Sequence, residues 1–477
     1  MLAMGIHMRI RQLMPLIKLP SLRWAIVLLI LGFLFRIAWL IPPIQSPDEF
    51  HHLYRAQMLS MGQWLLKPAA DQPGSSLLAK GSQVGGWVDP ALLTYKNLHW
   101  PLVLDPQREL SVEEKTAVAS LRWKHSETFV KLPGAGYYFP FIYAPQALGL
   151  ALGRWMDLSV NTSYWLCRVL TTLTCLAILV ISLRILSPPP LAWALLCLPM
   201  AVFQFLSPTI DGLSYAMSVL ILSLFIKSCD LLQRPDYVLS WALGLIILVV
   251  VASRTHLLAF LIIPFFIAWR HKSLRDFGVG LVVALTAVAW ITFAIWSTYD
   301  GRVINRSATS SQLFHYLTNP FEFFPIFWAT LTDADTFLHY ERSFIGILGW
   351  LNVLLPEKAY PVLWSGLGIC AVLTIHLFCR ERVICLSGRW LLILLGCLSA
   401  ILVFFAMLTT WTPADASIIE GVQGRYFTVP ALMVAYAFSV SQDKRQNSWP
   451  WATHLAVLSF AAASFSALIL ALLARYD

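Results

Sequence analysis

Charge is the scarcest commodity in this chain. Only 12% of its 477 residues are Asp, Glu, Lys or Arg, against 58% hydrophobic, and the mean hydropathy is +0.69. That balance excludes an ordinary soluble domain. The eight cysteines avoid the long hydrophilic stretches and form no CxxC pair, which argues against a disulfide framework or a zinc site and leaves them as packing residues. No internal repeat is visible, and the hydrophilic stretches are not of low complexity. No small-x-small cleavage site follows the first apolar run, which ends IPPIQSP, so that run reads as an uncleaved anchor rather than a signal peptide.

What is abundant is apolar sequence in runs of roughly 18–25 residues, the length that crosses a ~30 Å hydrocarbon core. The sequence therefore predicts an all-α polytopic membrane protein. Eleven spans are expected, near 24–42, 163–186, 191–207, 212–228, 238–253, 256–270, 278–297, 360–379, 390–411, 427–441 and 450–473. The net charge of +9 fits basic cytoplasmic loops rather than affinity for nucleic acid. With Arg9, Arg11, Lys18 and Arg23 inside, the basic stretches 270–276, 379–389 and 441–448, and the loop flanked by Lys227 and Arg234, all fall on the cytoplasmic side. Counting the apolar stretch Tyr138–Trp155 as a span would invert every later loop, so it is expected to be a juxtamembrane or re-entrant helix on the outer face.

The chain then reads as one transmembrane domain over 1–477, with two long outer loops, 43–162 and 298–359. Trp64, Trp87, Trp100, Trp123, Tyr137 and Tyr138 argue that the first is ordered, since disordered segments are poor in aromatics. On this topology the polar clusters outside the basic loops all reach the outer face: SPDEFHH (46–52), KLPGAGYYFP (131–140), SPTIDG (207–212), SRTH (253–256), ERSFIGILGWLN (341–352) and IIEGVQGRYF (418–427). Ionisable groups at membrane depth are costly and suggest function. Acids and arginines facing one lipid-level cavity suit a phosphate-bearing lipid, because Arg binds phosphate and a carboxylate accepts a proton.

Asp48 and Glu49 are the candidate catalytic acids. His51, Asp211, Arg254, His256, Arg342, Arg425 and Tyr426 are the candidate substrate-binding residues, with Lys131 weaker and His52 read as structural. Each has a plainer reading beside it. Asp48 and Asp211 both stand where a helix N-cap is expected, and Arg425 where a cation snorkels to the membrane surface.

The stretches SPDEFHHLYRAQMLSMGQ, LPGAGYYFPFIYAPQALG, SPTIDG, GILGWLN and EGVQGRYFTVP resemble the bacterial membrane-protein family known as domain of unknown function 2142, which is grouped with the GT-C glycosyltransferases. The resemblance runs from about residue 46 to 430. It implies a GT-C fold with juxtamembrane helices, and a polyprenyl-phosphate sugar donor used with inversion at the anomeric carbon. It makes Asp48 the first-loop general base and Arg425 a contact for the lipid phosphate. PDE stands where a D-x-D pair would mark a metal site, so the motif does not by itself call for a divalent cation.

The expected function is an inverting glycosyltransferase of the bacterial inner membrane. It would move a sugar from undecaprenyl phosphate to a surface glycan or lipid-linked acceptor, such as lipopolysaccharide O-antigen, on the periplasmic side. Its partners would be donor, acceptor and membrane lipids. A flippase for lipid-linked oligosaccharide would show inverted repeats and charge near the midplane, and a polysaccharide polymerase or ligase would not require the PDE motif.

Overall fold

A computed structural model describes residues 32–69, 84–132, 134–231, 235–298, 309–380, 384–440 and 450–477. Arg9, Arg11, Lys18, Arg23, Arg234 and the basic stretch 441–448 lie outside the described residues. Six helices are long and apolar enough to cross a membrane: Val160–Ile185, Asp211–Asp230, Leu274–Ser297, Ala359–Cys379, Leu386–Thr410 and Trp451–Tyr476. The chain is thus a polytopic all-α membrane protein. Length and composition single out six such helices among the described residues, where eleven spans were expected.

The shortfall has local causes. The run expected to span 191–207 is two helices, Pro190–Leu196 and Pro199–Phe205. Pro199 lacks the N–H a continuous helix would need, and Leu198 before it is extended (ψ 142°), so the helix stops and restarts. The run at 256–270 opens as a 3₁₀ segment, Thr255–Leu261, before the α-helix Ile262–Arg270. The run at 427–441 is the ten-residue helix Thr428–Ala437 behind the 3₁₀ turn Gly424–Phe427. The run at 238–253 forms the 17-residue helix Tyr237–Ser253, and the first run is described as helix only over 32–40. The stretch Tyr138–Trp155 contains a 3₁₀ turn, Pro140–Tyr143, and a 12-residue helix, Ala144–Trp155. Twelve residues rise ~18 Å, well short of the hydrocarbon core.

Asp211–Asp230 is the central helix. Its most apolar window is 89% buried by protein, whereas the other five candidate spans bury 22–39% and leave the rest for lipid. An ion pair between Asp230 and Arg389 (3.1 Å) ties its far end to Leu386–Thr410.

The first long loop, 43–162, is structured as well as long. It holds the helices Glu49–Ser60, Pro90–His99 and Val112–Ser120, and a small antiparallel sheet that the all-α expectation did not include. Strands β1 (Lys67–Pro68), β2 (Val84–Val88) and β3 (Thr128–Lys131) pair in that order, with Gly85 opposite Lys131 and Trp87 opposite Phe129. The second loop carries the helices Thr309–Thr318, Phe323–Thr332 and Ala334–Gly346 and a two-stranded ribbon, Ile347–Leu348 with Val353–Leu354.

Candidate functional site

The SPDE turn is held by its second acid. Glu49 is buried, and its carboxylate accepts hydrogen bonds from the backbone N–H groups of Ile44 and Ser46 (both 2.9 Å) and from the Tyr164 hydroxyl (2.7 Å). Burial pushes the Glu49 carboxyl above its ordinary pKa, against the opposing pull of Arg168 and these three donors. Trp350 adds a second clamp. Its indole N–H donates to the Ile44 carbonyl (3.1 Å), and its ring stacks on Phe50 at 5.8 Å. Asp48, between the two clamps, takes a left-handed conformation (φ 58°, ψ 12°), which Asp tolerates better than most residues. Its side chain makes no capping bond to the helix Glu49–Ser60 that it precedes, so the N-cap reading does not hold.

Asp48 instead lines a cavity of about 360 Å³. At the polar end it is joined by His51, His52, Tyr138, Arg254 and His256. The lining also includes apolar side chains: Ile291 and Ile295 of Leu274–Ser297, Leu402, Phe405 and Ala406 of Leu386–Thr410, and Leu313 of the second loop. The cavity is therefore amphipathic, and much of its apolar lining comes from two candidate membrane spans.

Behind the polar end is a buried charge cluster. Asp211 is the first residue of the central helix, and Ile210 rather than Asp211 holds the N-cap position; the Asp211 carboxylate pairs with Arg254 and lies 3.7 Å from Nε of Arg425. One carboxylate faces two guanidiniums here, and Asp48 acts on Arg425 as a second negative group, so the four charges balance. Hydrogen bonding is less complete: Nε and Nη1 of Arg425 are buried and have no hydrogen-bond partner among the described residues. Arg254 stacks over the Tyr138 ring (5.2 Å), and Arg425 over that of Tyr426 (5.3 Å). An unsatisfied buried guanidinium is expensive unless an anion completes it.

The backbone around Arg425 is set by two glycines. Gly421 adopts φ +78°, a left-handed position where a side chain would meet the Trp411 ring. Gly424 packs its Cα against the backbone of Ala334–Gly346 and donates its N–H to Ser343 Oγ (2.8 Å). The Arg425 carbonyl accepts from the Tyr215 hydroxyl of the central helix (3.0 Å).

Of the residues singled out from sequence, Asp48, His51, Arg254, His256 and Tyr426 line the cavity; Asp211 and Arg425 sit directly behind it. Oδ1 of Asp48 lies 3.5 Å from Nδ1 of His51. Glu49 lies in its cage of donors and is not part of the cavity lining. Arg342 is elsewhere, paired with Glu357 (2.9 Å), and Lys131 lies on strand β3. His52 does face the cavity. Its Nδ1 meets the Tyr143 hydroxyl at 2.9 Å, and burial, then the nearby Arg254 charge, lower its pKa to about 3, so it is a neutral imidazole. Tyr138 and Gln423 were not selected as site residues, although both lie within the motifs already singled out. Among the described residues no group of three or more His, Cys, Asp or Glu side chains is arranged to hold a metal ion.

The model of a family described as "Predicted membrane protein (DUF2142)" matches residues 31–435, and the chain belongs to that family. No curated protein matches the chain, and no solved structure does.

Proposed function

We propose that this member of the DUF2142 family is an inverting, GT-C-type glycosyltransferase. It moves a sugar from a polyprenyl-phosphate donor to a surface glycan or lipid-linked acceptor, with undecaprenyl phosphate and O-antigen as the leading examples. The observation that carries the reading is the cavity itself. A carboxylate in a left-handed turn, Asp48, shares one chamber with the guanidinium of Arg254, Arg425 lies behind it with unfilled donors, and the chamber's lining includes apolar side chains from two candidate spans. Proton acceptor, anion site and lipid-compatible wall are the three parts such a transfer needs.

In this reading the acceptor hydroxyl gives its proton to Asp48, and its oxygen attacks the anomeric carbon on the face opposite the phosphate. The bond from that carbon to the phosphate oxygen breaks, and polyprenyl phosphate leaves as a monoester carrying more negative charge than the diester. Arg254, at the cavity wall, meets that charge directly, and Arg425 reinforces it from behind Asp211. Placing Arg254 in front changes the assignment suggested by sequence, in which Arg425 made the phosphate contact. A donor seated in the chamber would displace water from it, which limits hydrolysis of the donor. The eleven-span topology, an inner-membrane location and a cavity facing the periplasm belong to the same proposal.

The test is Asp48→Asn in the purified full-length protein in lipid nanodiscs, assayed with a panel of polyprenyl-phosphate sugars for release of polyprenyl phosphate. Asn adopts the same left-handed turn, so polyprenyl-phosphate binding should persist while transfer falls by ~10²–10⁴. Transfer at the wild-type rate would remove Asp48 as the base.

A further inference from the structure

The second outer loop carries a surface that the reaction does not explain. Residues 313–332 read LFHYLTNPFEFFPIFWATLT, with one acid, Glu322, and that acid is bonded to His315 (2.7 Å). The segment forms two short helices, Thr309–Thr318 and Phe323–Thr332, linked by a 3₁₀ turn at Pro320–Glu322. One face packs inward: Phe327 meets Phe404 edge-on at 5.0 Å, and Phe323 meets Phe405 at 5.8 Å. The other face is bare. Phe321 is 82% exposed and Trp328 67%, and Phe314, Leu317 and Phe324 are exposed beside them.

The depth of the inward contacts says what covers the bare face. Phe404 lies six positions before the end of Leu386–Thr410, or ~9 Å along the helix axis. That helix has 25 residues and is ~37 Å long; standing upright and centred on a ~30 Å hydrocarbon core, it overhangs by ~4 Å at each end. Phe327 and Phe323 therefore sit ~5 Å inside the hydrocarbon boundary, the depth at which amphipathic helices lie in a membrane interface. The apolar surface continues at this side onto Ile401 of the same span, which is also exposed.

We infer that Thr309–Thr318 and Phe323–Thr332 lie in the plane of the leaflet at the Thr410 end of Leu386–Thr410, with Phe321, Phe324 and Trp328 among lipid acyl chains. Thr309 and Leu313, on the first of these helices, line the cavity, so the embedded pair forms part of its wall. The protein thus meets lipid not only along its spans but through an in-plane paddle next to the candidate site. This inference stands on packing depth and exposure, and does not depend on sugar transfer.

The test uses the unmodified full chain in nanodiscs of phosphatidylethanolamine and phosphatidylglycerol. A lipid-soluble diazirine labels residues in contact with acyl chains, water-borne hydroxyl radicals label residues in contact with water, and peptide mass spectrometry reads both. The helix Val112–Ser120, with its exposed capping box and first-turn acids, is the water reference. The expected result is diazirine labelling of 313–332 within about twofold of that on the exposed face of Leu386–Thr410, because the two share one depth, with radical labelling far below that of 112–120. Radical labelling equal to that of 112–120 would place the paddle in water and overturn the inference. Protection from both reagents would overturn it too, because protein, such as a second copy of the chain, would then cover the face.

Discussion

Gly424→Ala isolates the turn that presents Arg425. A Cβ built at Gly424 falls 2.5 Å from the Ser343 carbonyl carbon and 2.5 Å from the Tyr340 carbonyl oxygen, and nearer still to the Phe344 amide nitrogen. Unstrained contacts of this kind are nearer ~3.5–4 Å. All three obstacles are backbone atoms of Ala334–Gly346, so no side chain can swing aside, and the turn must back away from the helix by ~1 Å. That movement breaks the bond from Gly424 N–H to Ser343 Oγ (2.8 Å). Overpacking of a core costs ~1–3 kcal/mol, and a stranded buried donor ~1–3 kcal/mol more, for a total of roughly 2–6 kcal/mol. Gly368→Ala supplies the control. Gly368 lies inside the helix Ala359–Cys379 with nothing within 4 Å of the added carbon, so the substitution should gain about 0.5–1 kcal/mol from helix propensity. Thermal unfolding in nanodiscs should rank Gly368→Ala at or above wild type and Gly424→Ala well below it. Polyprenyl-phosphate affinity should fall in Gly424→Ala alone, since Arg425 rides on the displaced turn. A Gly424→Ala protein that melts and binds like wild type would refute the argument.

Asp211→Asn strands two buried guanidiniums against each other and should cost ~3–5 kcal/mol in thermal stability, with the loss partly reversed when Arg254→Met is added; a strictly additive double mutant would deny the pairing. With the eight native cysteines replaced, Lys272→Cys, in the basic loop at 270–276, should react with an impermeant thiol reagent only after the cells are permeabilised, and labelling of intact cells would overturn the proposed topology. The acid limb of stability should carry a His52 component. The folded chain holds His52 unprotonated down to about 3, while the unfolded chain takes up a proton near 6.5, so stability falls as pH drops through that window. His52→Gln should therefore lose less melting temperature than wild type between about pH 7 and about pH 4; an equal loss in both would show that His52 titrates normally.

The fold was legible where hydropathy and length agree. Val160–Ile185, Leu274–Ser297, Ala359–Cys379, Leu386–Thr410 and Trp451–Tyr476 all lie close to expected spans, because a long lipid-facing helix must be apolar and uninterrupted. It was less legible inside the bundle. The runs at 191–207 and 427–441 are as apolar as a span, yet the structure makes shorter helices and 3₁₀ turns of them. Hydropathy cannot tell a lipid-facing helix from a broken segment buried by its neighbours; Pro199 marks the break in 191–207, but no proline marks the turn before Thr428–Ala437. The sheet β1–β3 escaped notice because its strands are short, the middle one is interrupted by Gly85 and Gly86, and they pair across long separations.

For the site, the motifs were easier to find than the roles. SPDE, SRTH, TIDG and GVQGRYF do meet around one chamber, and what gathers them is the scarcity of charge elsewhere in the chain. Which acid does what was not readable. Asp48 and Glu49 are adjacent and chemically alike, yet one faces the cavity and the other is consumed by two backbone amides and a tyrosine 115 positions away. Capping was a reasonable reading for Asp48 and Asp211 because it needs only local sequence; the alternative needs Arg254, which is 43 positions from Asp211. The order of the arginines follows from the same limit. GVQGRYF draws attention to Arg425 because two glycines frame it, but the glycines serve to tuck that residue behind the carboxylate, and Arg254, with no such frame, is left at the wall. In the proposed reading an anion in the chamber meets Arg254 first, Asp211 holds that guanidinium in place, and Arg425 adds a second guanidinium behind it. The three act as one unit, and the charge on any one of them depends for its effect on the other two.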